Sequence, residues 1–174
     1  ILETSFEEEW VIDNDGDYLA PPGWDVDGLC RGETDMTYDF PHYWSQMKQD
    51  RHPNYNSYVH DGNASAVIWW SDGYGEPNEI GEKQDEWLIL PDIDLSKYIS
   101  ATLTFWSYYN WFYYYADNHN YVKISTDNGK TWDLLTDLNH DNKWFLGEGV
   151  TNRFEDPIIL NLSSYISENP ITIA

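Results

Sequence analysis

Apolar and polar positions alternate with a period of two in several short runs, and the densest of these lie between Asp85 and Trp132. Residues 87–90, 101–109 and 121–125 are rich in β-branched and aromatic residues and are bounded by Pro, Asp, Asn or Gly, which predicts strands rather than helices. Leu103 and Phe105 fall on one side of their run, and Thr102, Thr104 and Trp106 on the other. Val122 and Ile124 likewise oppose Tyr121 and Lys123. Residues 64–71 read as a further strand, apolar on both faces and therefore expected inside a sandwich. Residues 158–162 and 171–174 read as two more, separated by a Ser-Ser-Tyr turn. Residues 1–12 predict a first strand broken by an acidic cluster. The pattern fades at 25–62, 72–86 and 133–157, which are expected to be loops, with short strands at 43–47 and 55–59. No repeat of fixed period is visible. The expected fold class is all-β, in a single domain spanning 1–174.

One turn is specified in detail. Residues 125–132 read Ser-Thr-Asp-Asn-Gly-Lys-Thr-Trp. Asp127, Asn128 and Gly129 suit a tight hairpin turn, with Asn or Gly taking positive φ. Trp132 is placed to fold back over it, and the Asp127 carboxylate to accept backbone amide protons. The pattern is the Asp box, specific as a hairpin motif and uninformative about activity.

Composition narrows the partners. The net charge is −22, from 31 acids against 9 bases. Such a field repels nucleic-acid phosphates and anionic membrane surfaces. Aromatics make up 17%, including ten Trp and fourteen Tyr, too many bulky rings for a disordered acidic chain. Cys30 is the single cysteine, so there is no intrachain disulfide and no zinc set of the usual spacing. No apolar run reaches transmembrane length, and membrane insertion is not expected. No nucleophile elbow, HExxH or phosphate loop is present, and the adjacent acids Asp85 and Glu86 would point to opposite faces of a strand. An enzyme is therefore not expected.

Two stretches carry candidate chemistry. Asp13, Asp15 and Asp17 alternate around Gly16, so their oxygens fall on one side of a loop and suit calcium; an exposed polar turn is the other reading. An EF-hand is excluded by Tyr18 and Trp24 at the positions that need Gly and Glu. Residues 111–115 hold a dense aromatic run. Trp111, Tyr113, Tyr114 and Tyr115 either form an exposed platform for sugar or protein, or roof the core beneath.

Taken together, SFE at 5–7, PPGW at 21–24, HDGNASA at 60–66, DEWLILPDIDLS at 85–96, ATLTFWSYY at 101–109, YVKISTDNGKTW at 121–132 and LNLSSYISENPITIA at 160–174 resemble the MAM-like jelly-roll modules called choice-of-anchor J or cleaved-adhesin domains. These signals occur in family order and span nearly the whole chain. The resemblance implies a jelly-roll β-sandwich of two antiparallel sheets and a secreted or cell-surface location. It also implies a structural calcium held near the N-terminal strand by Glu7, with Asp85 a second ligand by position. Three departures stand out: the insertion DNDGDYLA, the long loop at 25–59, and the absence of the closing segment that family members carry past the last strand. A sandwich lacking its last strand has an open edge able to take a strand from a neighbouring subunit or domain. The expected function is a non-catalytic adhesion or binding module for an extracellular glycan or protein. The alternatives are a surface-filament subunit completed by a neighbour's strand and an accessory domain of a secreted peptidase or glycosidase.

Overall fold

A computed structural model of the chain describes residues 3, 6–8, 10, 20, 23–28, 44–48, 59–68, 85–110, 119–138, 151–153, 156–167 and 169–174. Among them every regular element is a strand except one single-turn 3-10 helix at Ser163–Tyr165. The protein is all-β, built from small antiparallel sheets. Residues 1–89 and 90–174 form two compact units.

In the first unit, β1 (Asp25–Gly28) pairs with β4 (Glu86–Ile89), and β2 (Ser45–Lys48) pairs with β3 (Ala64–Val67), so the inner pair is nested in sequence within the outer. Trp10, Val26, Met47, Val59 and Ala64 are the buried apolar residues among those described there. The expected first strand does not form at the described positions 6–8 and 10. Phe6 takes φ 60°, which no strand admits, and its ring meets Trp24 edge-on at 5.2 Å. Side chains hold this segment instead of a ladder. Gln46 Nε2 donates to the carbonyls of Phe6 and Glu8, each at 2.6 Å, and Gln46 Oε1 accepts from the Trp10 amide at 3.3 Å.

The second unit repeats the nesting at greater depth. β5 (Thr102–Phe105) pairs with β10 (Ile158–Asn161), β6 (Tyr108–Asn110) with β9 (Thr151–Arg153), and β7 (Tyr121–Ser125) with β8 (Asp133–Asp137). β11 (Thr172–Ile173) lies on the other side of β7, and Leu90 and Ile93 hydrogen-bond along its far edge. Alternation explains the core. Ile124 and Ile173, from β7 and β11, Ile171 just before β11, and Ile158 and Leu160, from the β5–β10 pair, are buried in one cluster with Leu95, Val122, Leu138 and Leu162. Leu103 and Phe105 pack against the same cluster, so two sheets bury their inner faces on each other. Each buried aliphatic contributes roughly 1.5–3 kcal/mol of transfer free energy.

Three further expectations need correction here. Residues 25–62, read as loop with short strands at 43–47 and 55–59, contain β1, which forms because the β4 backbone pairs with it and not because of any apolar period. Residues 133–157, read as loop, contain β8 and β9. The run 101–109 is two strands, not one, because four residues, 154–157, stand between β9 and β10 where only Trp106 and Ser107 separate β5 from β6. The two ladders differ in register by two residues, and since the Leu162 amide donates to the Ala101 carbonyl, Trp106 and Pro157 face each other at a position that exchanges no backbone hydrogen bonds.

Candidate functional site

The Asp box closes the β7–β8 hairpin through its own side chains. Asp127 Oδ1 accepts from the Thr131 amide at 2.9 Å and from the Ser125 hydroxyl at 2.8 Å, and Oδ2 accepts from the Thr131 hydroxyl at 2.7 Å. Ser125 Oγ in turn accepts the Gly129 amide at 2.9 Å. Asn128 and Gly129 take φ 58° and 75°, and a Cβ on Gly129 would lie 3.5 Å from Trp132 Cζ2, so the indole covers the turn. The Thr131 hydroxyl and amide, followed by Ser125, hold the Asp127 carboxyl down at about 2. These bonds organise the backbone of the turn.

Glu7 behaves similarly. Its Oε1 accepts from the amides of Asn63 at 2.6 Å and Ala64 at 3.0 Å, tying the 6–8 segment to the start of β3. Gly62, at φ 72°, lies so close that a Cβ there would collide with the Glu7 carboxylate. Asp85 Oδ1 accepts from Trp87 Nε1 at 2.9 Å. Among the described residues no three His, Cys, Asp or Glu side chains gather as a metal site, so Glu7 and Asp85 are not part of a larger acidic set there. Asp13, Asp15 and Asp17, and Trp111, Tyr113, Tyr114 and Tyr115, lie outside the described residues.

Two outward surfaces emerge that the sequence reading did not single out as sites. On β7, the His119 ring stacks on Tyr121 with centroids 5.0 Å apart and planes 13° apart, while Lys123 Nζ sits 4.9 Å from the Tyr121 ring centroid. Asp137, opposite Tyr121 on β8, accepts from His119 Nδ1 at 2.6 Å. Desolvation, with the Asp137 carboxylate second, raises the Tyr121 phenol above its ordinary value. Because His119 and Lys123 both engage the Tyr121 ring, it has little face left to stack on a ligand. Extending the period of two back from Tyr121 to His119 would have found this stack.

The second surface is the outer side of β5 and β10. Thr102, Thr104 and Trp106 point outward, as the alternation predicted, with Trp106 44% exposed. Register sets Thr102 beside Asn161 and Thr104 beside Ile159, which is 61% exposed.

The class these observations define is an all-β protein of small antiparallel sheets whose turns are fastened by acidic and amide side chains. Comparison with known proteins finds no matching family model, no matching curated protein and no matching solved structure.

Proposed function

We propose that the chain is a non-catalytic binding module that displays ligand-gripping surfaces on a jelly-roll scaffold. The observation that carries this reading is the placement of large apolar side chains on the outside. Trp106 and Ile159 are 44% and 61% exposed, while Leu103, Phe105, Ile158 and Leu160, at the alternate positions, face the core. The nested pairing of β5–β10, β6–β9 and β7–β8 supports the jelly-roll topology, since a long hairpin rolled on itself pairs its strands in that order. The sequence resemblance to MAM-like modules supports a secreted or cell-surface setting and a glycan or protein ligand.

A screen against immobilised glycans and extracellular proteins, with and without calcium, tests this reading. Binding without turnover is the expected result. Release of a cleaved product from any of these ligands would replace the module with an enzyme.

A structural calcium belongs to the same reading through the resemblance at Glu7. Glu7 Oε1 already fastens the amides of Asn63 and Ala64, so a cation beside this carboxylate would reinforce an existing tie between the N-terminal segment and β3. EDTA is expected to lower the melting temperature and added calcium to restore it. A melting temperature indifferent to both removes the cation from the proposal.

A further inference from the structure

Among the described strand pairs, β5–β10 is the only one whose residues include no charged side chain. The contrast is sharp in a chain of which 23% is charged. β1 carries two Asp, β2 a Lys, β4 a Glu, β9 an Arg, and β7–β8 a Lys and two Asp. The outer side of β5–β10 instead forms a small grid. Thr102 stands beside Asn161 and Thr104 beside Ile159, and carrying the register one step on sets Trp106 beside Pro157. Thr102, Thr104, Trp106, Ile159 and Asn161 are exposed, and Pro157 is half-buried. Asn161 spends its Oδ1 on the Ser163 amide at 2.9 Å, which turns its NH2 to the donor role.

From this grid we infer that the outer side of β5–β10 is a binding face for a neutral glycan. The inference rests on the binding-module reading and gives that module a site and a ligand class.

Size argues first. Two strands of this length offer a patch about 14 Å long and roughly 10 Å wide, on the order of 150 Å². A stable protein partner needs about 800 Å² per side, whereas a few sugar rings need no more than this patch offers. Charge argues next. An anionic glycan would meet the field of −22, and a second copy of the chain would meet it twice over. A cationic partner would settle on the acidic strands. A neutral ligand is indifferent to the field. Chemistry argues last. The Trp106 ring and the Ile159 side chain suit the C–H face of a sugar, and the Thr102 and Thr104 hydroxyls with the Asn161 amide suit its hydroxyl rim.

The test measures binding to xylan, galactomannan and hydroxyethyl cellulose, with polygalacturonate as the anionic comparison. It uses the full chain, the face variants Trp106→Ala and Thr104→Arg, and Leu134→Ser on the other sheet as control. A thermal melt on every variant confirms folding, and Trp106→Tyr checks rescue by a second ring. The expected result is binding to at least one neutral polysaccharide, little changed by salt. Trp106→Ala should weaken it at least about tenfold, the cost of losing one aromatic anchor. Thr104→Arg should weaken it too, while Leu134→Ser and Trp106→Tyr should retain it.

Glycan binding that survives both face variants overturns the face and leaves the module. Binding of polygalacturonate alone overturns the neutral ligand. Capture of a protein through Trp106 with no glycan bound overturns the glycan and also leaves the module. Failure to bind any glycan or protein in either screen overturns both.

Discussion

At the scale of single residues, Glu7, Asp25, Asp27, Asp61, Asp94 and Asp127 each turn a carboxylate to a backbone amide. Asp127 shows the consequence for stability. Its carboxyl is held at about 2, below the ordinary 3.8, by donors that exist only when the hairpin is formed. A depressed carboxyl contributes stability above its unfolded value, and that contribution fades as pH falls from near 4 toward 2. Asp127→Asn is therefore expected to melt lower than the parent at neutral pH, with the gap closing across that window. Thermal melts of both proteins between pH 7 and pH 2 check this, and a gap that is the same at every pH refutes the charge argument. Asp94 is lowered by the same kind of bond, from the hydroxyl and amide of Ser96.

At the scale of elements, what the sequence made legible depended on where the backbone hydrogen bonds go. β7 was readable to the residue, because Tyr121–Ser125 alternates cleanly and the Asp box marks its end. That Leu103 and Phe105 share one side followed from the same period of two, and the structure turns that side to the core. β1 was not readable: Asp-Val-Asp-Gly offers Val26 as its only apolar residue, so no period can show. Thr151–Arg153 is shorter still and has no apolar residue at all. The break between β5 and β6 was hidden because its cause, two extra residues between β9 and β10, sits on the partner side. The 6–10 segment looked like a strand but is held by Gln46, a long-range side-chain bond that no local pattern records. That bond also gives a prediction. Gln46→Ala removes three buried or half-buried hydrogen bonds and is expected to cost about 2–4 kcal/mol. Denaturant melts measure the loss. Faster amide exchange at Trp10 would show that the segment has come loose, and a change below about 0.5 kcal/mol would mean that it is held by packing alone.

At the scale of the whole molecule, a charge of −22 makes the folded state work against its own repulsion. Raising sodium chloride from about 0.05 M to about 0.5 M shortens the screening length several-fold and should raise the melting temperature. An unchanged or lower value would mean that the acids are already compensated by their local bonds or by a bound cation. The nested order of pairing has a kinetic corollary. Strands β7 and β8 meet across one short turn, whereas β6 must wait for β9 and β5 for β10, each across a longer stretch of chain. Such a chain closes like a zip from its innermost teeth. Damage to the Asp127 turn should slow refolding, while truncating Ile158, at the outermost rung, should mainly hasten unfolding. Stopped-flow chevrons of the two variants would show opposite arms moving, so that a single turn sets the tempo at which residues 90–174 assemble.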